Sequence, residues 1–191
     1  TLNNKVLTIT EVCRFNNGMI RVLDSYYWDI LMLYNEIVKG MAAAGSHGMV
    51  PESMGIDTWG VDYGLLDKNG NLLGNPYAYR DHRTDKAIDE FSALVPLSRI
   101  YQLTGIQFMQ FNTLFQLFAA RRDRLPAMDI ASDLLFIPDL LNYMLTGIKI
   151  SAGLAVIGAI VGEFIAGGGL GSLIDAARTQ QRVDLVFSGV I

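Results

Sequence analysis

An α/β fold with an apolar, helical C-terminal appendage is what this sequence predicts, on two observations. Over the first 147 residues, strand-like alternation and helix-like periodicity follow one another. Beyond residue 147 the composition turns abruptly to small and aliphatic residues rich in glycine. The chain therefore divides into residues 1–147 and residues 148–191. With 191 residues, 51% hydrophobic and 18% charged, it suits one medium domain with a sizeable core, or one domain plus an appendage.

The elements follow in order. Residues 5–15, KVLTITEVCRF, alternate and are rich in β-branched side chains, which predicts a strand. NNG at 16–18 then makes a turn into a short return strand. Asp24 or Ser25 is placed to cap a helix over 28–44, whose Ile30, Leu33, Tyr34, Ile37, Val38 and Met41 form one apolar face. Residues 54–57 read as a short buried strand. Residues 61–66 and 71–73 pair as a hairpin around DKNG, where Asn69 and Gly70 tolerate positive φ. Helices are predicted at 85–94 and 112–125. A strand at 134–137, LLFI, runs into Pro138, which suits the first turn of a helix ending near Gly147. The order is β-β-α-β-β-β-α-α-β-α, without an internal repeat.

Composition excludes several classes of function. Net charge is −4 and the basic residues are dispersed, apart from Arg121, Arg122 and Arg124 on a predicted helix, a run that reads as a solvated face. Nucleic acid is not an expected partner. Cys13 stands alone, so no disulfide within the chain is possible, and His47 and His82 do not have zinc-ligand spacing. A reducing compartment, the cytoplasm, fits this usage. The opening TLNNKVLTIT has neither a basic nor an apolar leader region, so no signal peptide is expected and the start reads as a cut edge. Residues 150–174, ISAGLAVIGAIVGEFIAGGGLGSLI, carry one charge, Glu163. A membrane span and a buried glycine-rich helix hairpin are both open for them.

The stretch GIDTWGVDYGLLDKNGN, residues 55–71, concentrates the candidate chemistry. Asp57, at the predicted end of a buried strand, marks either a satisfied structural contact or a ligand cleft, because an unpaired buried carboxylate is costly. Trp59 beside Gly60 is either a core aromatic or a wall for a polar small molecule, with the glycine letting backbone approach the ligand. YAYRD at 77–81 adds Arg80 and Asp81, either hydroxyl-binding groups or an ordinary surface ion pair.

Residues 5–147 resemble the N-terminal domain of an FGGY-family carbohydrate kinase. The resemblance is carried by RFNNG at 14–18, GIDTWGVDYGLLDKNGNLLGNPYAYRDHRTD at 55–85, IYQLTGIQFMQFNTLFQL at 100–117 and FIPDLLNYMLTG at 136–147. It implies an incomplete ribonuclease-H-like, actin-related α/β domain. The parent reaction it implies moves the ATP γ-phosphoryl group, with Mg²⁺, to the 1-hydroxyl of L-rhamnulose or a similar ketose. Gly60 then corresponds to the family's substrate-contacting glycine, with Trp59 and Asp57 nearby. Arg80, Gln107, Phe111 and Asn112 are further candidates to face the sugar.

The resemblance also implies what lies outside this stretch: the glycine-rich phosphate hairpin, the catalytic aspartate and the adenosine-binding second domain. No catalytic, cofactor-binding or metal-binding residue is assigned, and neither Asp57 nor Asp62 is taken as the base. GGGLGS at 167–172 lacks the lysine and spacing of a Walker sequence. The chain by itself is expected not to phosphorylate a sugar and not to bind ATP or Mg²⁺ well. An uncovered sheet edge leads us to expect oligomers or aggregates.

Residues 148–191 resemble a late segment of an ABC transporter permease of the nitrate, sulfonate and taurine type, through the small-residue helix, Glu163 and GGGLG. The two resemblances meet near Gly147, as in a fusion of unrelated pieces. A membrane-inserted permease fragment and a noncatalytic chimera are therefore the alternative readings.

Overall fold

The computed structural model describes residues 2–3, 6–48, 51 and 53–147. In chain order the elements are β1 (Leu2–Asn3), β2 (Val6–Leu7), β3 (Ile20–Val22), β4 (Ser25–Tyr27), α1 (Ile30–Ser46), β5 (Tyr63–Leu66), a 3-10 turn (His82–Thr84), α2 (Ala87–Ser92), α3 (Leu97–Thr104), α4 (Thr113–Arg122), α5 (Ala127–Ile130), β6 (Asp133–Phe136) and α6 (Ile137–Thr146). The strands form three antiparallel pairs, β1 with β2, β3 with β4 and β5 with β6. The appendage and its candidate span, 150–174, lie outside the described residues. No helix among the described residues is long and apolar enough to cross a membrane.

The first hairpin differs from the prediction. The strand expected at 5–15 reduces to Val6–Leu7, and residues 8–19 are irregular. Alternation makes a strand only where a neighbouring backbone accepts the ladder, and the partner of β4 is Ile20–Val22, in the register Ile20↔Tyr27 and Val22↔Ser25. The turn is at Leu23 and Asp24, with Leu23 at φ 54° and its carbonyl accepting from Arg21 Nε at 3.0 Å. Residues 76–78 run along the other side of β4: Trp28 N–H donates to Pro76 O and Ala78 N–H to Tyr26 O, each at 2.9 Å.

Helix α1 starts later than predicted, because Ser25 is committed to β4. Asp29 is the N-cap, its carboxylate accepting from Met32 N–H at 3.0 Å. Its buried face is Ile30 and Leu33, with Tyr34 and Ile37 packed beside them. Val38 and Met41, assigned to that face by periodicity, are exposed. The strand predicted at 54–57 is absent, and Met54 and Asp57 are exposed on irregular chain.

The turn of the second hairpin forms where expected, but its strands are shorter than predicted: β5 begins only at Tyr63, and the return strand expected at 71–73 is reduced to the single bridge Leu66↔Leu72, with Leu73 N–H donating to Leu65 O at 2.9 Å. Asp67 accepts from the Asn69 and Asn71 amides at 2.8 Å each, and Gly70 takes φ 84°. Strand β6 then pairs on β5 from Tyr63↔Phe136 to Leu66↔Asp133. Pro138 sits in the first turn of α6, and Gly147 at φ 70° closes it in the left-handed conformation. Helix α3 was not foreseen; Pro96 before it and Gly105 at φ 63° after it are ordinary boundary signals.

The core joins these pieces: Ile30 and Leu33 of α1, Leu66 of β5, Leu135 of β6, and Ile137, Leu140 and Leu141 of α6. Helix α6 lies so close to β5 that a Cβ at Gly64 would stand 2.5 Å from Leu140 Cδ2, and Leu140 is fully buried. Gly64→Ala is therefore expected to lower folding stability by about 1–3 kcal/mol. Urea titration followed by far-UV circular dichroism checks this, as a lower midpoint with an unchanged slope.

Candidate functional site

The site begins with a sharp turn at the entry to β5. Asp62 N–H donates to Gly60 O at 2.9 Å, and Val61 between them has φ 69°. An i→i+2 hydrogen bond around a positive φ is a γ-turn of the strained kind, and a β-branched residue there costs on the order of 1–3 kcal/mol. The turn is held by α4: Thr113 Oγ1 donates to Val61 O at 2.9 Å and Gln116 Nε2 reaches the same oxygen at 3.3 Å.

Directly after the turn, Asp62 is buried with 0% exposure. Its Oδ2 accepts from Trp28 Nε1 at 2.6 Å, Trp59 Nε1 at 2.9 Å and Tyr79 N–H at 3.1 Å. Its Oδ1 accepts from Gln116 Nε2 at 2.8 Å. The two indoles meet with centroids 4.3 Å apart. Among the described residues no cation touches this carboxylate; the guanidinium of Arg83 stands one group away, donating to Gln116 Oε1 at 2.9 Å. Burial pushes the Asp62 carboxyl above its ordinary 3.8, against the pull of Gln116, the two indoles and the Tyr79 amide.

A second buried carboxylate supports the same region. Asp81 Oδ2 accepts from Tyr26 N–H at 2.7 Å and Oδ1 from Arg83 N–H at 3.0 Å, capping the 3-10 turn. Its ion-pair partner is Arg83, with Nε 3.9 Å from Oδ1, and the same guanidinium covers the Tyr77 ring at 4.1 Å. The arginine–aspartate pair suggested by YAYRD is thus formed by Arg83. Arg80 is exposed, with its guanidinium 5.5 Å from the centre of the Tyr79 ring.

The other sequence-predicted residues divide as follows. Trp59 is half-buried on Asp62, and Gly60 is exposed beside it. Asp57 lies on exposed irregular chain, so its expected place at the end of a buried strand is corrected. Asn112 precedes α4 and donates through Nδ2 to the exposed Gln107 at its carbonyl, 2.9 Å away. Phe111 packs edge-on to Tyr79. Asn112 and Val61 also share the wall of a largely apolar cavity of about 240 Å³, with Ile100, Ile106 and Phe108. Trp28, Gln116 and the Tyr79 amide were missed. Trp28 reads as a helix residue, and nothing local in the sequence links it to a carboxylate 34 residues later.

Gly60 has a notable property: its φ is not in the left-handed region, and a Cβ there would meet nothing within 4 Å. Neither packing nor backbone conformation demands glycine. As for ions, the described residues contain no group of three or more His, Cys, Asp or Glu side chains able to hold a metal. Asp62 has its oxygens engaged by four donors.

The fold belongs to a known class. Residues 24–158, more than half of the chain, match the FGGY family of carbohydrate kinases, N-terminal domain. The chain belongs to that family, and its α/β fold is of the ribonuclease-H-like, actin-related kind. Within the family it is similar to rhamnulokinases: 48% identical over 141 residues to the protein of Bacteroides thetaiotaomicron, and 45% over 141 residues to that of Pectobacterium atrosepticum. Each match covers 74% of this chain and only 29% or 28% of the relative, so the chain spans under a third of their length. Among solved structures it is similar in fold to gluconate kinase from Lactobacillus acidophilus, with TM-score 0.59, 13% identity and coverage of 71% of this chain and 28% of that one. Plasmodium falciparum glycerol kinase, solved with ADP, gives TM-score 0.58 and 20% identity over 70% of this chain and 29% of that one.

Two outcomes follow from the hub. Trp28→Phe keeps the ring and removes one donor, and is expected to cost about 1–3 kcal/mol while shifting Trp59 fluorescence to the red. Denaturation monitored by that fluorescence checks both. Because the folded Asp62 carboxyl lies above 3.8, its contribution is fully present below 3.8 and is lost as pH rises through the folded value. The stability difference between the native chain and Asp62→Asn is therefore expected to be largest in acid and to shrink with rising pH, measured by urea unfolding across a pH series.

Proposed function

We propose that residues 1–147 are the sugar-side part of a rhamnulokinase-like enzyme, with the edge at Trp59 and Gly60 as the wall that the sugar meets. The reaction of the whole enzyme is ATP- and Mg²⁺-dependent phosphorylation of L-rhamnulose, or a similar ketose, at its 1-hydroxyl. Asp57, Arg80, Gln107 and Asn112 are assigned to the same sugar-facing side. The observation that carries this reading is Gly60, a glycine in the position of the family's substrate-contacting glycine, with open space where a side chain would stand and no internal reason for lacking one. Identity of 48% with a rhamnulokinase over 141 residues points to the ketose rather than to another sugar.

In this reading the chain contributes binding and orientation. Trp59 offers an apolar ring whose polar edge is committed to Asp62 and which packs in part on Trp28, leaving its exposed part for a sugar. Asp62 is a structural carboxylate and takes no proton from the substrate, since it is buried and engaged. No residue of 1–147 is assigned to the phosphate cradle, the base or the nucleotide pocket in this reading; the role of these residues is to bind and orient the sugar. The setting is the cytoplasm, where ATP is supplied.

Titration calorimetry of the 191-residue chain tests the reading. L-rhamnulose is expected to give a binding heat larger than D-xylulose or glycerol gives, and no heat with L-rhamnulose would remove a sugar site from this chain. Gly60→Ala is expected to leave folding stability within about 0.5 kcal/mol. The same substitution should weaken sugar binding at least about tenfold, near 1.4 kcal/mol.

A further inference from the structure

The strained turn is held from a distance. Val61 is β-branched at φ 69°, a conformation such a residue keeps only when its surroundings over-determine it. Helix α4 provides that constraint through Thr113 and Gln116. Gln116 is 1% exposed, and its two amide atoms have separate tasks. Its Oε1 accepts from Arg83, while Nε2 lies 2.8 Å from Asp62 Oδ1, 2.9 Å from Phe111 O and 3.3 Å from Val61 O. The amide is oriented by this pattern, with its oxygen toward a guanidinium and its nitrogen toward three oxygens.

We propose that Gln116 is a positioning residue for the sugar-facing edge: by holding the Val61 carbonyl and the Asp62 carboxylate on one amide group, it keeps the turn left-handed and so sets where Trp59 and Gly60 stand. The proposal rests on the reading of that edge as the sugar wall. Its rival is a filling role, in which Gln116 merely satisfies polar atoms of the core. The two differ because a filling residue lowers stability without acting specifically through Val61.

A double-mutant cycle separates them. Gln116→Met retains length and loses every amide hydrogen bond, and Val61→Gly removes the reason to hold the turn, since glycine adopts positive φ without strain. Two readouts are taken on the full chain: L-rhamnulose affinity, and hydrogen exchange at the Asp62 amide, which bonds Gly60 O inside the turn. In the native background Gln116→Met is expected to speed Asp62 exchange about tenfold relative to the β6 amides and to weaken L-rhamnulose binding about tenfold. In the Val61→Gly background the same change is expected to shift either readout by less than about twofold. Equal effects in both backgrounds, or no acceleration at Asp62, overturn the proposal.

If the native chain does not bind L-rhamnulose, the sugar-wall reading fails. The hold on the turn is then decided by Asp62 exchange alone, by the same criterion. Should Gln116→Met not fold, Gln116→Asn keeps an amide in place but is one methylene too short to reach Val61 O and Asp62 Oδ1 together, and is expected to speed Asp62 exchange about threefold; an unchanged rate overturns the proposal.

Discussion

One carboxylate oxygen, Asp62 Oδ2, receives both tryptophans of the chain and a backbone amide. These donors come from the entry to α1, the loop before β5 and the loop after the second hairpin, so three separate segments close on one atom. A buried carboxylate with no cation beside it is tolerated only when its lone pairs are filled, and here four donors fill them. The polar centre and the apolar core are joined through the chain itself: Asp62 O accepts from Ile137 N–H, which opens α6.

The cost of this arrangement appears one residue earlier. To bring Asp62 inward at the very start of β5, the chain turns through Val61 in the left-handed region. That conformation persists because any alternative would cost the part-buried hydrogen bonds that Thr113 and Gln116 make to the Val61 carbonyl. Arg83 extends the network outward, joining Gln116 to the Tyr77 ring and to Asp81, which in turn anchors β4 through the Tyr26 amide. Strain at the turn and satisfaction of the carboxylate are thus two sides of one constraint, and the exposed edge at Gly60 sits at its end.

Legibility followed the range of the interactions involved. The second hairpin was readable because Asp67, Asn69 and Gly70 make their turn within five residues. Helix α6 was readable for the same reason, with Pro138 at its start and Gly147 at its stop. Residues 5–15 were misread because alternation describes a strand's faces and says nothing about a partner for its backbone. Adjacency in the sequence points to Arg80 as the partner of Asp81, yet a side chain bonds where the backbone aims it, and the 3-10 turn aims Arg83 inward.

By itself, the sequence determined the α/β class, the local turns and caps, and the motifs that carry membership of the FGGY carbohydrate kinases. These depend on short-range sterics and on patterns a single strand of text contains. The tertiary structure alone decided that Asp57 is an exposed loop residue, that Asp62 is the buried centre, and that Trp28 and Gln116 serve it from 34 and 54 residues away. Such pairings arise because a desolvated carboxylate must find donors wherever the fold brings them, and their sequence separation carries no record of that requirement.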